Sequence, residues 1–110
     1  MTHDHEARLP DVHDTVLQGA AIEEWIHGVR DCAKLREMVV RGGPLADAPQ
    51  AVAEHDQKQR LEEALAHLRK GASVQLRYVF DGAEWWDTLM PVGDGKVRLV
   101  RIDRATLDRR

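Results

Sequence analysis

Residues 73–103 read SVQLRYVFDGAEWWDTLMPVGDGKVRLVRID, and this stretch decides the fold. Apolar and polar residues alternate along it, which is typical of a strand with one buried face. Asp81-Gly82 interrupts the alternation once, and Gly93-Asp94-Gly95 interrupts it again. Both interruptions are turn sequences. The stretch therefore predicts three antiparallel strands that follow one another as a meander.

A two-residue turn at Asp81-Gly82 sets the register of the first hairpin. It places Leu76 opposite Asp87 on one face of the ribbon and Arg77 opposite Trp86 on the other. Asp87 then shares its face with a row of apolar residues: Val74, Leu76, Tyr78, Phe80, Ala83, Trp85 and Leu89. A carboxylate in such a row needs a partner.

The second turn admits two registers. A three-residue loop sets Asp87 opposite Arg101, whereas a two-residue loop sets Asp87 opposite Ile102. The choice matters because a slip of one residue moves every side chain to the other face. We expect the three-residue loop, since it gives the carboxylate a cation.

A first helix is predicted before the meander. Apolar residues recur at helical spacing from Ile22 to Val39, and Asp14 or Thr15 is suited to cap the first turn. Gly42-Gly43-Pro44 is expected to end this helix.

A second helix is expected to begin at Pro49 or Gln50 and to run to Lys70. Its apolar stripe consists of Leu61, Ala64, Leu65 and Leu68.

These elements predict an α+β fold in the order ααβββ. Two helices pack on one face of a three-stranded antiparallel β-meander, which buries both apolar surfaces. The first and third strands of the meander would be the sheet edges. We expect a flexible His-rich tail over residues 1–12, one domain over 13–103 and a polar tail over 104–110.

Composition limits the class of protein. A chain of 110 residues makes one domain at most, and Cys32 as the single cysteine excludes an intrachain disulfide. Thr15–Ile22 is the longest run without a formal charge and is too short to span a bilayer. We expect a cytoplasmic protein, and the Ala/Arg/Asp-rich composition indicates a bacterial one. The net charge of −3 argues against nucleic acid as a partner.

One constellation predicts a binding site. Trp86 lies across from Arg77 on the polar face of the sheet, where a guanidinium can stack on the indole. With Asp87 and Arg101, these residues would form a small recognition patch of one ring, two cations and a carboxylate. The simpler interpretation is a stabilised hairpin with a structural Asp–Arg pair.

The tail histidines predict a second, alternative site. His3, His5 and His13 could capture Cu²⁺, Ni²⁺ or Zn²⁺ through their imidazoles, although their spacing matches no closed tetrahedral site. A solvated tail is the simpler interpretation, so no cofactor is otherwise expected.

The leading functional hypothesis is a small non-enzymatic accessory protein that docks to another protein or to itself. A stripe containing Val16, Leu17 or Met38 could serve a homodimer. Two alternatives belong to other classes: a metal-handling protein that uses the histidine tail, and a small-ligand binder or enzyme built around Asp87 and Arg101.

Overall fold

A computed structural model describes residues 14–41 and 49–104. It contains two α-helices, α1 (Ala20–Cys32) and α2 (Gln57–Arg69), and a single turn of 3-10 helix before α2. The strands are β1 (Asp14–Gln18), β2 (Lys34–Arg41), β3 (Gln50–Ala51), β4 (Ser73–Phe80), β5 (Ala83–Gly93) and β6 (Lys96–Asp103).

The six strands form a single antiparallel sheet in the order β1-β6-β5-β4-β2-β3. Both helices pack on one face of it and enclose the hydrophobic core. The α+β class is as predicted, but the three-stranded meander in the order ααβββ is wrong. The sheet has twice the expected number of strands, and the order is β-α-β-α-β-β-β when the two-residue β3 is left aside.

The second half of the predicted first helix is the strand β2. Leu35 and Met38 both face the core although they are three residues apart, because a β-bulge leaves Arg36 unpaired between them. A bulge thus reproduces the i, i+3 spacing that a helix would show. Pairing with β4 also gives β2 partner residues on both sides of the bulge, from Lys34 opposite Val79 to Arg41 opposite Ser73.

The start of the predicted first helix is the strand β1. Thr15 and Leu17 turn toward the core side, while Val16 faces solvent. Gly19 then adopts a φ of 59°, which favours glycine, and the helix begins directly after it. The predicted caps Asp14 and Thr15 therefore lie inside a strand.

The side chain of Gln57 caps the junction between the end of α1 and the start of β2. Its Oε1 accepts a hydrogen bond from the backbone N–H of Leu35 at 2.9 Å. Its Nε2 donates to the carbonyls of Arg30 and Ala33 at 3.1 and 2.9 Å. One glutamine at the start of α2 thus satisfies the backbone where the chain passes from helix to strand.

The second helix begins at Gln57, later than the predicted start at Pro49 or Gln50. Its predicted apolar stripe is confirmed, because the buried residues of α2 are Leu61, Ala64, Leu65 and Leu68. This stripe shares the core with Trp25, Ile26 and Val29, the buried residues of α1.

The predicted register of the meander is confirmed. Leu76 pairs with Asp87 and Arg77 pairs with Trp86 across a turn in which Asp81 and Gly82 have φ values of 56° and 78°. Asp87 pairs with Arg101. The second turn differs in detail, because Asp94-Gly95 is a two-residue turn and a bulge between Pro91 and Gly93 restores the expected register.

The strands β4 and β6 are not edges, contrary to expectation. They are covered by β2 and β1, so the described edges are β1 and β3. The His-rich tail over 1–12 and the Gly42-Gly43-Pro44 stop lie outside the described residues, as does the C-terminal tail beyond Arg104. Within the described residues, neither helix has the length and apolar character needed to cross a bilayer.

Candidate functional site

The sheet separates the four predicted site residues into two pairs. Asp87 and Arg101 lie on the core face, under α1, and Trp86 and Arg77 lie on the face that is turned away from the helices. We call the latter the outer face. The structure therefore does not bring the ring, the two cations and the carboxylate together in a single patch, and the two pairs have different chemistry.

Asp87 is the centre of a buried polar network. It is 0% exposed, and Arg101 is 6% exposed. The Tyr78 hydroxyl donates to Asp87 Oδ2 at 2.7 Å. Arg101 donates from Nε to Oδ1 at 3.1 Å and from Nη2 to Oδ2 at 3.4 Å. Both carboxylate oxygens are thus engaged by side chains of the same sheet.

Aromatic rings shield this ion pair. The Arg101 guanidinium carbon lies over the rings of Trp25 and Trp85, at 4.8 and 5.4 Å from their centroids. A guanidinium is weakly hydrated and favours such contacts, which reduce the free-energy cost of burying its charge. Trp25 comes from α1, far from the meander in sequence, and strand pairing alone offered no signal for it.

Burial determines the protonation behaviour of the network. Loss of hydration raises the pKa of Asp87, while Arg101 and, more weakly, Tyr78 oppose that rise. Burial, reinforced by the neighbouring Asp87 carboxylate, raises the pKa of the Tyr78 hydroxyl. The indole N–H of Trp25 lies near Asp87 and slightly lowers the pKa of the Asp87 carboxyl. Within the described chain, however, neither it nor the N–H of Trp85 makes a hydrogen bond of normal geometry.

This arrangement favours a structural role for Asp87 and Arg101. A substrate needs an accessible oxygen on the carboxylate, and Asp87 has none exposed. Truncating the Asp87 side chain would leave the buried Arg101 guanidinium and the Tyr78 hydroxyl without their acceptor, which is strongly unfavourable.

The second pair lies on the outer face and is held rigidly. The Arg77 guanidinium carbon sits 4.0 Å from the centroid of the Trp86 ring. Its Nε donates to Gln75 Oε1 at 2.8 Å, and its Nη1 donates to Glu37 Oε1 at 3.0 Å. These bonds hold the guanidinium on the ring without help from a ligand.

The same network extends across three strands of the outer face. Gln75 donates to the Thr88 hydroxyl at 3.1 Å, and the Trp86 indole N–H donates to Glu84 at 2.9 Å. Arg104 also lies over the Trp86 ring, at 5.6 Å. The result is a partly buried indole whose orientation is set by its neighbours.

The outer face is more basic than the protein as a whole. The whole chain has a net charge of −3. At described positions on the outer face, six basic side chains are set against three acidic ones: Lys34, Arg41, Arg77, Lys96, Arg98 and Arg104 against Asp14, Glu37 and Glu84. Charge is therefore distributed unevenly between the two layers.

The predicted metal site cannot be placed. His3, His5 and His13 lie outside the described residues. Within residues 14–41 and 49–104, no group of three or more His, Cys, Asp and Glu side chains is arranged to hold a metal ion.

Comparisons with known proteins give no match: no family model fits the chain, and neither the curated proteins nor the solved structures contain a significant relative.

Proposed function

We propose that this chain is a small non-enzymatic interaction protein that binds an acidic protein surface through the outer face of its sheet. The observation that carries the proposal is the Arg77–Trp86 pair, 4.0 Å apart and held by Gln75 and Glu37. Trp and Arg are the residues most enriched among the energetic hot spots of protein interfaces.

Preorganisation supports the same proposal. Ordering a long arginine side chain on binding costs about 0.5–1.5 kcal/mol of free energy. The side chain of Arg77 is already ordered before binding, because it is only 16% exposed and makes two side-chain hydrogen bonds. A partner that covers Trp86 therefore meets a surface that needs little rearrangement.

Charge supports an acidic partner over a second outer face. The basic side chains outnumber the acidic ones on this face, so two such faces would repel one another. An acidic surface would be attracted, and that attraction would weaken as salt is added. The buried, internally bonded Asp87 favours binding over catalysis, because the carboxylate best suited to proton transfer lies beyond the reach of a substrate.

Affinity capture with the tagged full-length chain tests the proposal. Trp86→Ala should reduce capture of the partner at least tenfold, and Arg77→Lys should reduce it too, because lysine keeps the charge but loses the flat stacking surface. The captured protein is then purified and titrated by calorimetry at two salt concentrations. Arg60→Lys is the matched control, since Arg60 pairs with Glu63 on the helical layer.

The folded state is measured in parallel. Trp86→Ala should lower the free energy of unfolding by about 1 kcal/mol for the lost cation–π contact, and further for the lost packing of the partly buried ring, but the domain should remain folded. Capture that is equal for the wild type and Trp86→Ala would contradict the proposal, and so would a variant that fails to fold.

The metal-handling alternative stays a prediction about residues 1–12 and His13. Calorimetry with Cu²⁺, Ni²⁺ and Zn²⁺ on the full-length chain and on a chain starting at residue 13 separates it from docking. Equal, weak binding by both removes it.

A further inference from the structure

The strand β1 forms one edge of the sheet. It pairs with β6 over its whole length, from Asp14 opposite Val100 to Gln18 opposite Lys96. Among the residues that the structure describes, no strand pairs with its other side. Within residues 14–41 and 49–104, the backbone N–H and C=O groups on that side therefore have no partner strand.

The edge has two features that limit strand addition, the charge of Asp14 and a length of only five residues, but it lacks others. Its sequence, Asp-Thr-Val-Leu-Gln, contains no proline, glycine or lysine, and its pairing with β6 shows no bulge. The opposite edge differs, because β3 has only two residues and offers a very short ladder. Of the two edges, β1 is the one equipped to take a partner strand.

Val16 marks the centre of this edge. Its side chain points to the outer face and is 54% exposed, and only Val92 among the large hydrophobic residues described is equally exposed. A partner strand would place a side chain beside Val16 at about 4.5–5.5 Å between Cβ atoms. An apolar neighbour there would remove both side chains from water.

We propose that the occupant of this edge is β1 of a second copy of the chain. The two strands pair antiparallel about a two-fold axis that passes midway between their Val16 residues. This register uses all five residues of the strand, whereas any other symmetric register loses pairs. It sets Val16 against Val16 of the second copy. It also sets Asp14 against Gln18, so that no like charges oppose one another.

The proposed dimer has one continuous sheet of twelve strands, six from each copy. Because the axis is perpendicular to the sheet, both outer faces lie on the same side and both helical layers on the other. The two Arg77–Trp86 pairs would then be presented together, and a partner with two acidic sites could bind both at once.

Sedimentation velocity with the full-length chain tests the proposal over a wide range of concentrations. The wild type should sediment as a dimer, and Val16→Lys should sediment as a monomer, because a charged residue at the edge opposes pairing. Val92→Lys is the matched control, since Val92 is equally exposed on β5, and it should remain a dimer. A monomeric wild type, or a monomer caused by Val92→Lys but not by Val16→Lys, would overturn the proposal.

Disulfide trapping tests the register. In a Cys32→Ser background, Val16→Cys should form an interchain disulfide under mild oxidation, because the two-fold axis places both sulfur atoms side by side. Val92→Cys should stay reduced under the same conditions. Linkage at position 92 in preference to position 16 would assign the contact to another surface.

Discussion

Asp87 and Trp86 are neighbours in the chain, yet they face opposite sides of one sheet and have opposite surroundings. Asp87 is buried, and its charge is balanced by Arg101 within the core. Trp86 is only partly buried, and the Arg77 guanidinium stacks on its ring. Because side chains alternate between the two faces of a strand, the Asp87–Arg101 pair lies in the core and the Arg77–Trp86 pair lies on the outer face.

Two ion pairs of the same chemistry allow burial to be tested alone. Asp87→Ala should lower the free energy of unfolding by about 3–5 kcal/mol, because it leaves the buried Arg101 guanidinium and the Tyr78 hydroxyl without the acceptor they share. Asp14→Ala removes the carboxylate that Arg98 contacts at 3.0 and 2.6 Å, but that pair is exposed to water. It should therefore leave stability close to that of the wild type.

Urea denaturation of the two variants and the wild type measures the difference. Equal losses for Asp87→Ala and Asp14→Ala would contradict the role assigned to the buried network.

At the scale of elements, the junction between α1 and β2 depends on Gln57. Gln57→Ala removes one acceptor and two donors that satisfy the backbone of Arg30, Ala33 and Leu35. Leaving partly buried backbone groups without partners costs about 1–3 kcal/mol of stability. Gln59→Ala is the control, because Gln59 is exposed and bonds only to Glu63 among the described residues.

Thermal and urea unfolding report the expected difference between these glutamine variants. Hydrogen exchange adds a local test, since the amide of Leu35 should lose protection in Gln57→Ala. Unchanged protection there would mean that the backbone of β2 holds the junction without Gln57.

The meander could be predicted from the sequence because its information is local. Asp81-Gly82 suits a turn with positive φ at both residues, and the alternation of apolar side chains then determines the register. Even the pairing of Asp87 with Arg101 followed from the need of a buried-face carboxylate for a cation. The same local logic correctly placed Trp86 and Arg77 together.

The strands β1 and β2 could not be predicted in the same way. The bulge at Arg36 gives β2 the spacing of a helix, and β1 has only five residues. β1 is stabilised by pairing with β6, and β2 by pairing with β4, and both partners are distant in the sequence. Such pairing produces no pattern among residues that are neighbours in the chain. For the same reason, the contact of Trp25 with Arg101 had no local signal.

At the scale of the whole molecule, the buried network joins the two layers. Trp25 from α1 lies against Arg101 of β6, which binds Asp87 of β5, and Asp87 binds Tyr78 of β4. A change of charge at Asp87 therefore acts on one helix and three central strands together. Its effect should appear in global unfolding and not in local fraying alone.

The pH dependence of stability follows from the direction of the Asp87 shift. Because burial raises its pKa above the ordinary 3.8, the folded chain keeps this proton to higher pH than the unfolded chain does. The contribution of Asp87 to stability is complete at acid pH and falls as pH rises through the raised pKa. Asp87→Asn cannot titrate. The free energy of unfolding of the wild type minus that of Asp87→Asn should thus decrease as pH rises above the ordinary pKa of 3.8.

Asp14 provides a control of opposite sign. The hydrogen bond from Arg98 lowers the pKa of Asp14, so its contribution is lost as pH falls through that lowered value. The free energy of unfolding of the wild type minus that of Asp14→Asn should therefore increase with rising pH, while the corresponding difference for Asp87→Asn decreases. Urea titrations at closely spaced pH values measure both. If the two differences rose together, Arg101 would hold the pKa of Asp87 below 3.8, and its attraction would outweigh the loss of hydration in the core.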